Sequence, residues 1–383
     1  KSLAKGNDDA KKWLDEHQDT LSFVADMQNY QRMNSHLQKL KTMIVRVNDE
    51  GRMPYSLMYF GAEVTGRWSG SGGFNVQNLP RDTKYGINIR NCIKAPKGKT
   101  FIVSDLSQIE ARLIWKCVGD EESLELVRQG YNPYEAHAIN TMGWTGGSIK
   151  EEDPDLYLLA KTRVLQLGYG CGWYKFYETV RSFGQLHILE GEYSVGDRRR
   201  FTNFLDSYQK KYLDWFNAAD SVTERHWVNA FIQVMDYRDK NPLIVKKWKE
   251  YDAEYKSKNG GESMSLPLMN GREINFWDIR VEKENTTAKL QKGGARRGRY
   301  YGANIFQNEV QGNARNIFGH HMLEINKAGY EIILQVHDEV VVEVDLKKAS
   351  KAGKDIKKIM TTAPAWCDVP LGSEVVLMDM YTK

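Results

Sequence analysis

The run Thr100-Phe101-Ile102-Val103-Ser104-Asp105 and the longer run Ile332-Ile333-Leu334-Gln335-Val336-His337-Asp338-Glu339-Val340-Val341-Val342 each set a carboxylate at the end of an apolar strand. Strands this apolar are buried, so Asp105 and Asp338 are expected on a rigid edge and not on a loose loop. Side by side, two such carboxylates would clamp a pair of divalent cations, the device behind in-line phosphoryl transfer. That chemistry asks little of a protein beyond positioning and charge neutralisation. The competing reading makes Asp105 the start of the next helix and His337-Asp338 a polar hairpin turn. A hairpin tip favours Asn-Gly or Asp-Gly, however, and His-Asp-Glu offers no specialist for positive φ. Something besides turn geometry is therefore expected to hold those residues there.

Outward from these strands the chain reads as mixed helix and sheet. Leu21, Val24, Met27, Met33, Leu37, Leu40 and Ile44 approximate a 3.6-residue period and predict a helix over 8–46. A polar, glycine-rich segment follows at 65–81, and the pattern from Ser107 to Trp115 is helical. From there to about residue 260 the chain is mainly helical. A strand pair is expected around 263–266 and 272–276, joined through Asn270-Gly271, a strong turn signal. A helix over 301–327 with Gly329 at its C′ position, a Lys-rich helix near 347–361 and a strand near 371–377 complete the order. One sheet is thus assembled from strands on both sides of a long helical insertion.

The 383 residues suffice for two or three domain-sized units, and a net charge of only +4 sets up no global basic field. Locally, Lys283, Lys289, Lys292, Arg296, Arg297 and Arg299 lie among glycines ahead of Tyr300-Tyr301. Basic and aromatic residues interleaved in this way suit a nucleic-acid strand; a solvated loop is the equally available reading. Cys92, Cys117, Cys171 and Cys367 show no Cys-x-x-Cys spacing and fit free thiols in a reducing compartment. No apolar run is long enough to span a membrane, and residues 1–20 are too polar for a secretory signal. The chain opens on Lys1 and not on Met, as a piece of a longer protein would.

Four stretches together resemble the DNA polymerases of family A, the bacterial DNA polymerase I type. Asp105-Leu106-Ser107-Gln108-Ile109-Glu110-Ala111-Arg112 is similar to that family's motif A, the stretch from Lys161 to Gly170 to motif B, and Val336-His337-Asp338-Glu339 to motif C. Thr65-Gly66-Arg67 with Gln77-Asn78-Leu79-Pro80-Arg81 resembles the signature upstream of motif A. The likeness runs from about residue 25 onward, and Leu167-Gly168-Tyr169-Gly170-Cys171-Gly172 and Tyr301-Gly302 look closer to phage and prophage members.

The resemblance implies an α+β right-hand fold: an antiparallel palm sheet, helical fingers inserted after motif A, and only a remnant of the thumb. It divides the chain into thumb base at 1–50, palm at 51–112 and 301–383, and fingers at 113–300. It implies a template-directed DNA polymerase core acting on primer–template DNA and deoxynucleoside triphosphates in a cytoplasm, that of a bacterial host if phage-encoded. Two Mg²⁺ ions, replaceable by Mn²⁺, would be held by Asp105 and Asp338, with the Leu106 carbonyl as a further oxygen ligand. Glu339 would support the site indirectly. His337 would contact the primer terminus, or would simply be a satisfied turn histidine.

Tyr157, Lys161, Leu165 and Tyr169 lie four apart and so would share one helix face. Such a stripe is often core packing, but a central lysine is rarely buried unpaired. The resemblance makes Lys161 a triphosphate contact and Tyr169 a stacking platform, with Leu165 between them. Glu110 would stand near Tyr169 where a ribose 2′-hydroxyl needs room; its other reading is a solvent-facing helix glutamate. Arg67 would read the acceptors that every base pair shows in the minor groove. Asn78, Gln311, Arg296, Arg297 and Arg299 are further expected DNA contacts.

Departures from the family pattern qualify this picture. Tyr157 stands where the family has an arginine, so one triphosphate contact is either missing or supplied elsewhere, by Arg163 or a residue of the basic loop. Leu165 replaces the usual aromatic, and Asn132-Pro133-Tyr134 replaces a stretch with a phosphate-contacting histidine. The upstream exonuclease acids have no counterpart, and a processivity factor or a separate exonuclease leaves no mark on this sequence. Two rival readings stand beside the leading one: a single-subunit RNA polymerase with the same palm acids, and a catalytically silent DNA clamp.

Overall fold

The computed structural model describes residues 13, 17, 21–80, 88–282 and 285–383. The expectations placed on Arg81, on Lys283 and on the rest of 8–20 fall outside those residues. The strands, in chain order, are β1 (Ser56–Met58), β2 (Ser69–Ser71), β3 (Lys99–Leu106), β4 (Met264–Pro267) and β5 (Glu273–Glu282). They continue with β6 (Asn285–Lys289), β7 (Arg297–Arg299), β8 (Ile332–Val336), β9 (Glu339–Asp345) and β10 (Ser373–Met378). The central sheet runs β10-β3-β9-β8 with every pair antiparallel, so strands from either end of the helical stretch meet as neighbours.

Burial on both faces explains the unbroken apolar runs of this sheet. Ile102, Leu106, Val340 and Val342 point to a large core shared with the Ile109–Val118 and Gly302–Lys327 helices. Phe101, Val103, Val341 and Val336 alternate to the other face, where Met43, Phe74, Val76, Leu79, Ile89 and Tyr381 cover them. Met43 belongs to the Ser22–Arg46 helix, which thereby docks on the sheet. Where the Gly302–Lys327 helix crosses the Pro242–Ser257 helix, a Cβ on Gly302 would collide with the Trp248 carbonyl, so only glycine permits the approach.

Three expectations need correction. The β8–β9 hairpin closes on the two residues His337-Asp338, and His337 itself takes the left-handed region at φ +56°. Histidine visits that region more readily than most residues with a Cβ, so turn geometry does hold the motif. The basic stretch is a loop only over 290–296: on either side of it β6 and β7 extend the strand pair around Asn270-Gly271 into a sheet of order β4-β5-β6-β7. Tyr300 is buried against Phe276 with ring centroids 4.9 Å apart, leaving Tyr301 as the exposed member of the aromatic pair. Finally, the helix Pro154–Thr162 passes at Arg163–Leu167 into a π-helical turn, whose extra residue breaks the four-residue register. Tyr157, Lys161, Leu165 and Tyr169 therefore share no single α-helical face.

Candidate active site

Three strands place acids on one rung of the central sheet. Asp105 on β3 is the register partner of Glu339 on β9 and of Glu374 on β10, so all three project from the same face. Asp338 joins them from the hairpin turn, where its carbonyl accepts the Leu106 N–H at 3.2 Å. Desolvation, then the nearby Asp105 and Glu110 carboxylates, push the Asp338 carboxyl up to about 6, with the Arg67 guanidinium opposing. Glu339 is buried and accepts the Tyr381 hydroxyl at 2.6 Å, which suits a supporting part. Glu374 had no signal in the sequence beyond its alternation in the last strand.

This concentration of partly desolvated negative charge fits a cation. Among the described residues no group of three or more His, Cys, Asp or Glu side chains forms a closed cage.

Beside the acids lies a second linkage. Glu110, in the first turn of the Ile109–Val118 helix, accepts Arg67 Nη2 at 2.5 Å on one oxygen and the Tyr169 hydroxyl at 2.7 Å on the other. The Tyr169 hydroxyl is held well above its usual range by burial and by the Glu110 carboxylate. Arg67 is presented by a clamped backbone: Arg272 donates to the Thr65 carbonyl at 2.9 Å and Arg315 to the Gly66 carbonyl at 2.9 Å. Gly66, at φ +74°, sits where a Cβ would meet the Phe60 ring at 2.6 Å. Arg315 in turn lies over the Trp68 ring at 4.6 Å. The sequence reading missed both clamping arginines; Arg315 had one signal, its position one helical turn beyond Gln311.

The remaining expected residues divide. Lys161 is exposed near the end of the Pro154–Thr162 helix, while Leu165 is half-buried against the small apolar cluster that includes Tyr134 and Val164. Tyr134 meets Tyr157 edge-on at 5.7 Å, and burial raises its hydroxyl pKa, with Tyr157, Glu110 and Asp338 adding to the shift. Gln311, Asn308, Arg296, Thr65 and Glu63 line one cleft. Arg296 and Arg299 are exposed, as are His337 and Asn78. A second groove, beside Gly170, is lined by Arg238, Lys249, Trp248 and Tyr301.

Two expectations are overturned. Arg163 is buried, bonded to Asp236 at 2.8 Å and Gln233 at 2.8 Å, so it braces the helical part and reaches no triphosphate. Arg297 donates to the Asp278 carboxylate at 2.9 Å and to Thr287 at 3.1 Å, so it ties the β5-β6-β7 edge together and is not free for DNA.

The chain has relatives among known proteins. A DNA polymerase of Bacillus phage SP02 is 23% identical over 97% of this chain and 62% of its own length. DNA polymerase I of Aquifex aeolicus (strain VF5) is 26% identical over 97% of this chain and 53% of its own length. The chain thus spans between half and two thirds of those relatives. Among solved structures, the POL domain of Pol1 from M. smegmatis, in complex with DNA primer-template and dNTP, superposes with a TM-score of 0.66. It shares 19% identity and covers 98% of this chain and 56% of its own, a likeness of fold. The sequence model of family A DNA polymerases matches residues 1–382, and the acids, the Arg67–Glu110–Tyr169 linkage and the shared fold all fall inside that match; the chain belongs to DNA polymerase family A.

Proposed function

We propose that the chain is a template-directed DNA polymerase core that adds deoxynucleotides to a primer 3′-hydroxyl. The observation that carries this is the convergence of Asp105 and Asp338, from strand ends far apart in sequence, beside the Arg67–Glu110–Tyr169 linkage. The family membership supports it, and the fold neighbour's complex with primer-template and dNTP is the ground for proposing the same partners here.

When bound, two Mg²⁺ ions, or Mn²⁺ in their place, would activate the 3′-hydroxyl and neutralise charge on the departing pyrophosphate. The chain's own residues do the positioning. Asp105 and Asp338 would hold the cations with the Leu106 carbonyl, and Glu339 braces the strand end through Tyr381. Lys161 offers a mobile point charge to the triphosphate. Tyr169 stacks on the nascent pair, Leu165 backs it, and Glu110 closes the space below the sugar. Arg67 and Gln311 read the minor groove of the primer-terminal pair, and His337 and Asn78 follow the strands beside it. Arg296 and Arg299 grip the duplex backbone. In this reading residues 51–112 and 301–383 form the palm, 113–300 the fingers and 1–50 the thumb base. Among the described residues no helix is long and apolar enough to cross a membrane.

Primer extension by Asp105→Ala and Asp338→Ala tests the reading. Each should lose at least about three orders of magnitude in rate, near 4 kcal/mol of barrier, because the acids act mainly in the transition state. Duplex binding should persist. Extension within about tenfold of the parent in either variant removes the metal assignment. A parent that extends only with ribonucleotides indicates an RNA polymerase; binding without any metal-dependent extension indicates a clamp.

A further inference from the structure

Downstream of β10, residues 379–383 fold back across the acid-bearing face of the central sheet. The Ala95 N–H donates to the Asp379 carbonyl at 2.9 Å, and the Tyr381 N–H donates to the Ile93 carbonyl at 2.9 Å. The Tyr381 side chain is fully buried and lies under the Arg90 guanidinium, 5.2 Å from ring centroid to Cζ. Arg90, itself buried, donates to the Tyr381 hydroxyl at 3.1 Å and to the Lys383 carbonyl. It also holds the Leu79 carbonyl of the glycine-rich segment. Lys383 is therefore delivered by an anchored backbone. Its ammonium lies 2.5 Å from Asp105 Oδ1 and 3.4 Å from Glu374 Oε2, with only 22% of the side chain exposed. An ordinary surface pair has neither the anchor nor two carboxylates of one rung to bridge.

We propose that Lys383 is a built-in counter-cation of the active site. Its ammonium holds Asp105 against Glu374 in the metal-free chain and leaves Asp105 when a divalent cation binds there. The inference rests on the reading of Asp105 as a metal ligand. A Mg²⁺ ion takes its oxygen ligands at about 2.1 Å, so ion and ammonium would compete for one carboxylate and repel each other at close range. The four-carbon lysine stem allows withdrawal toward Glu374 without moving Tyr381. Lys383 is a positioning residue in this scheme: it bridges the Asp105 and Glu374 carboxylates and keeps them oriented until metal arrives with substrate.

The test is Mn²⁺ binding to the DNA-free full chain, followed by the paramagnetic resonance signal of free Mn²⁺, a readout independent of turnover. Lys383→Gln should tighten Mn²⁺ binding by about fivefold or more, because a competing positive charge is gone. Lys383→Arg, which keeps the charge, should stay within about twofold of the parent. Asp105→Asn should weaken binding, and in that background Lys383→Gln should have no further effect, as expected for residues acting through one contact. Unchanged or weaker binding by Lys383→Gln, or equal tightening by Lys383→Arg, overturns the proposal. If Asp105→Asn leaves Mn²⁺ binding as in the parent, the metal-ligand reading of Asp105 fails, and this proposal with it. If Asp105→Asn weakens binding while Lys383→Gln changes nothing, only the role of Lys383 fails.

Discussion

Glu110 is held from two sides, by Arg67 at 2.5 Å and by the Tyr169 hydroxyl at 2.7 Å, which in the proposed function makes its carboxylate a wall of the sugar site. Replacing it removes bulk and releases both partners. Glu110→Ala should therefore raise the use of ribonucleotides relative to deoxynucleotides by about tenfold or more, some 1.4 kcal/mol of discrimination. Deoxynucleotide addition should slow as well, because Tyr169 loses its anchor. Competition assays with the two nucleotide classes decide the matter; an unchanged ratio excludes Glu110 from sugar selection. Asp105 and Asp338 were legible at this scale because each borders an apolar strand, although Asp338 sits in the hairpin turn that the sequence reading disfavours. Arg163 was not. An arginine aimed at a ligand and one aimed at a distant Asp236 look identical until the chain is folded. The same holds for Glu374 and Lys383, whose sequence neighbours give no hint of a rung shared with Asp105.

Elements were read well where period and burial agree, as in β3 and the Gly302–Lys327 helix, and poorly where one local feature overrides the pattern. The π-helical turn after Thr162 is such a feature: one added residue displaces Tyr169 from the lysine face, and no spacing rule announces it. The basic segment failed for a different reason. Its charges outnumber its apolar residues, yet fully buried Ala288 and mostly buried Tyr300 are enough to pin β6 and β7 to β5. Arg297→Ala should thus lower stability modestly through the Asp278 clamp, since Lys289 and Arg280 still meet that carboxylate, with DNA affinity unaffected in the folded fraction; denaturant melts and binding isotherms separate the two.

A second clamp joins the loop after the Ser22–Arg46 helix to β9. Arg52 and Lys99 meet the buried Glu343 carboxylate at 2.7 and 2.8 Å. The bond from Arg52 foremost, then Lys99, holds its carboxyl below the usual range against the opposing pull of burial. A depressed folded value means the stabilisation is present above the unfolded value near 4.3 and is lost as pH falls through the folded one. Glu343→Gln should cost about 1 kcal/mol at neutral pH, since the cations it strands are half-exposed and rehydrate. Thermal melts should show parent and variant converging below about pH 4. A gap that persists into acid would assign the loss to packing and not to charge.

At the scale of the whole molecule, the helical stretch between β3 and β8 serves to return the chain so that β3 and β9 pair. Two surfaces are then assembled from segments far apart in sequence. One is the central-sheet face with Asp105, Glu339 and Glu374. The other is the cleft where Gln311 of the Gly302–Lys327 helix meets Arg296 at the edge of the second sheet. Such long-range convergence was foreseen only through the resemblance to a family, because nothing local in the sequence brings β7 near Gln311. With Arg297 spent on Asp278, the duplex grip proposed for this edge falls to Arg296 and Arg299, both exposed. Each phosphate neutralised adds about 0.9 to the slope of log affinity against log salt on duplex DNA. Arg296→Ser with Arg299→Ser should accordingly flatten that slope by about 1–2, with a loss of affinity that is largest at low salt and independent of sequence. Arg297→Ser should leave the slope where it is. Titrations of a primer–template duplex over a range of salt concentrations measure all three variants, and a slope that moves with Arg297 but not with its two neighbours would place the DNA on another face of the molecule.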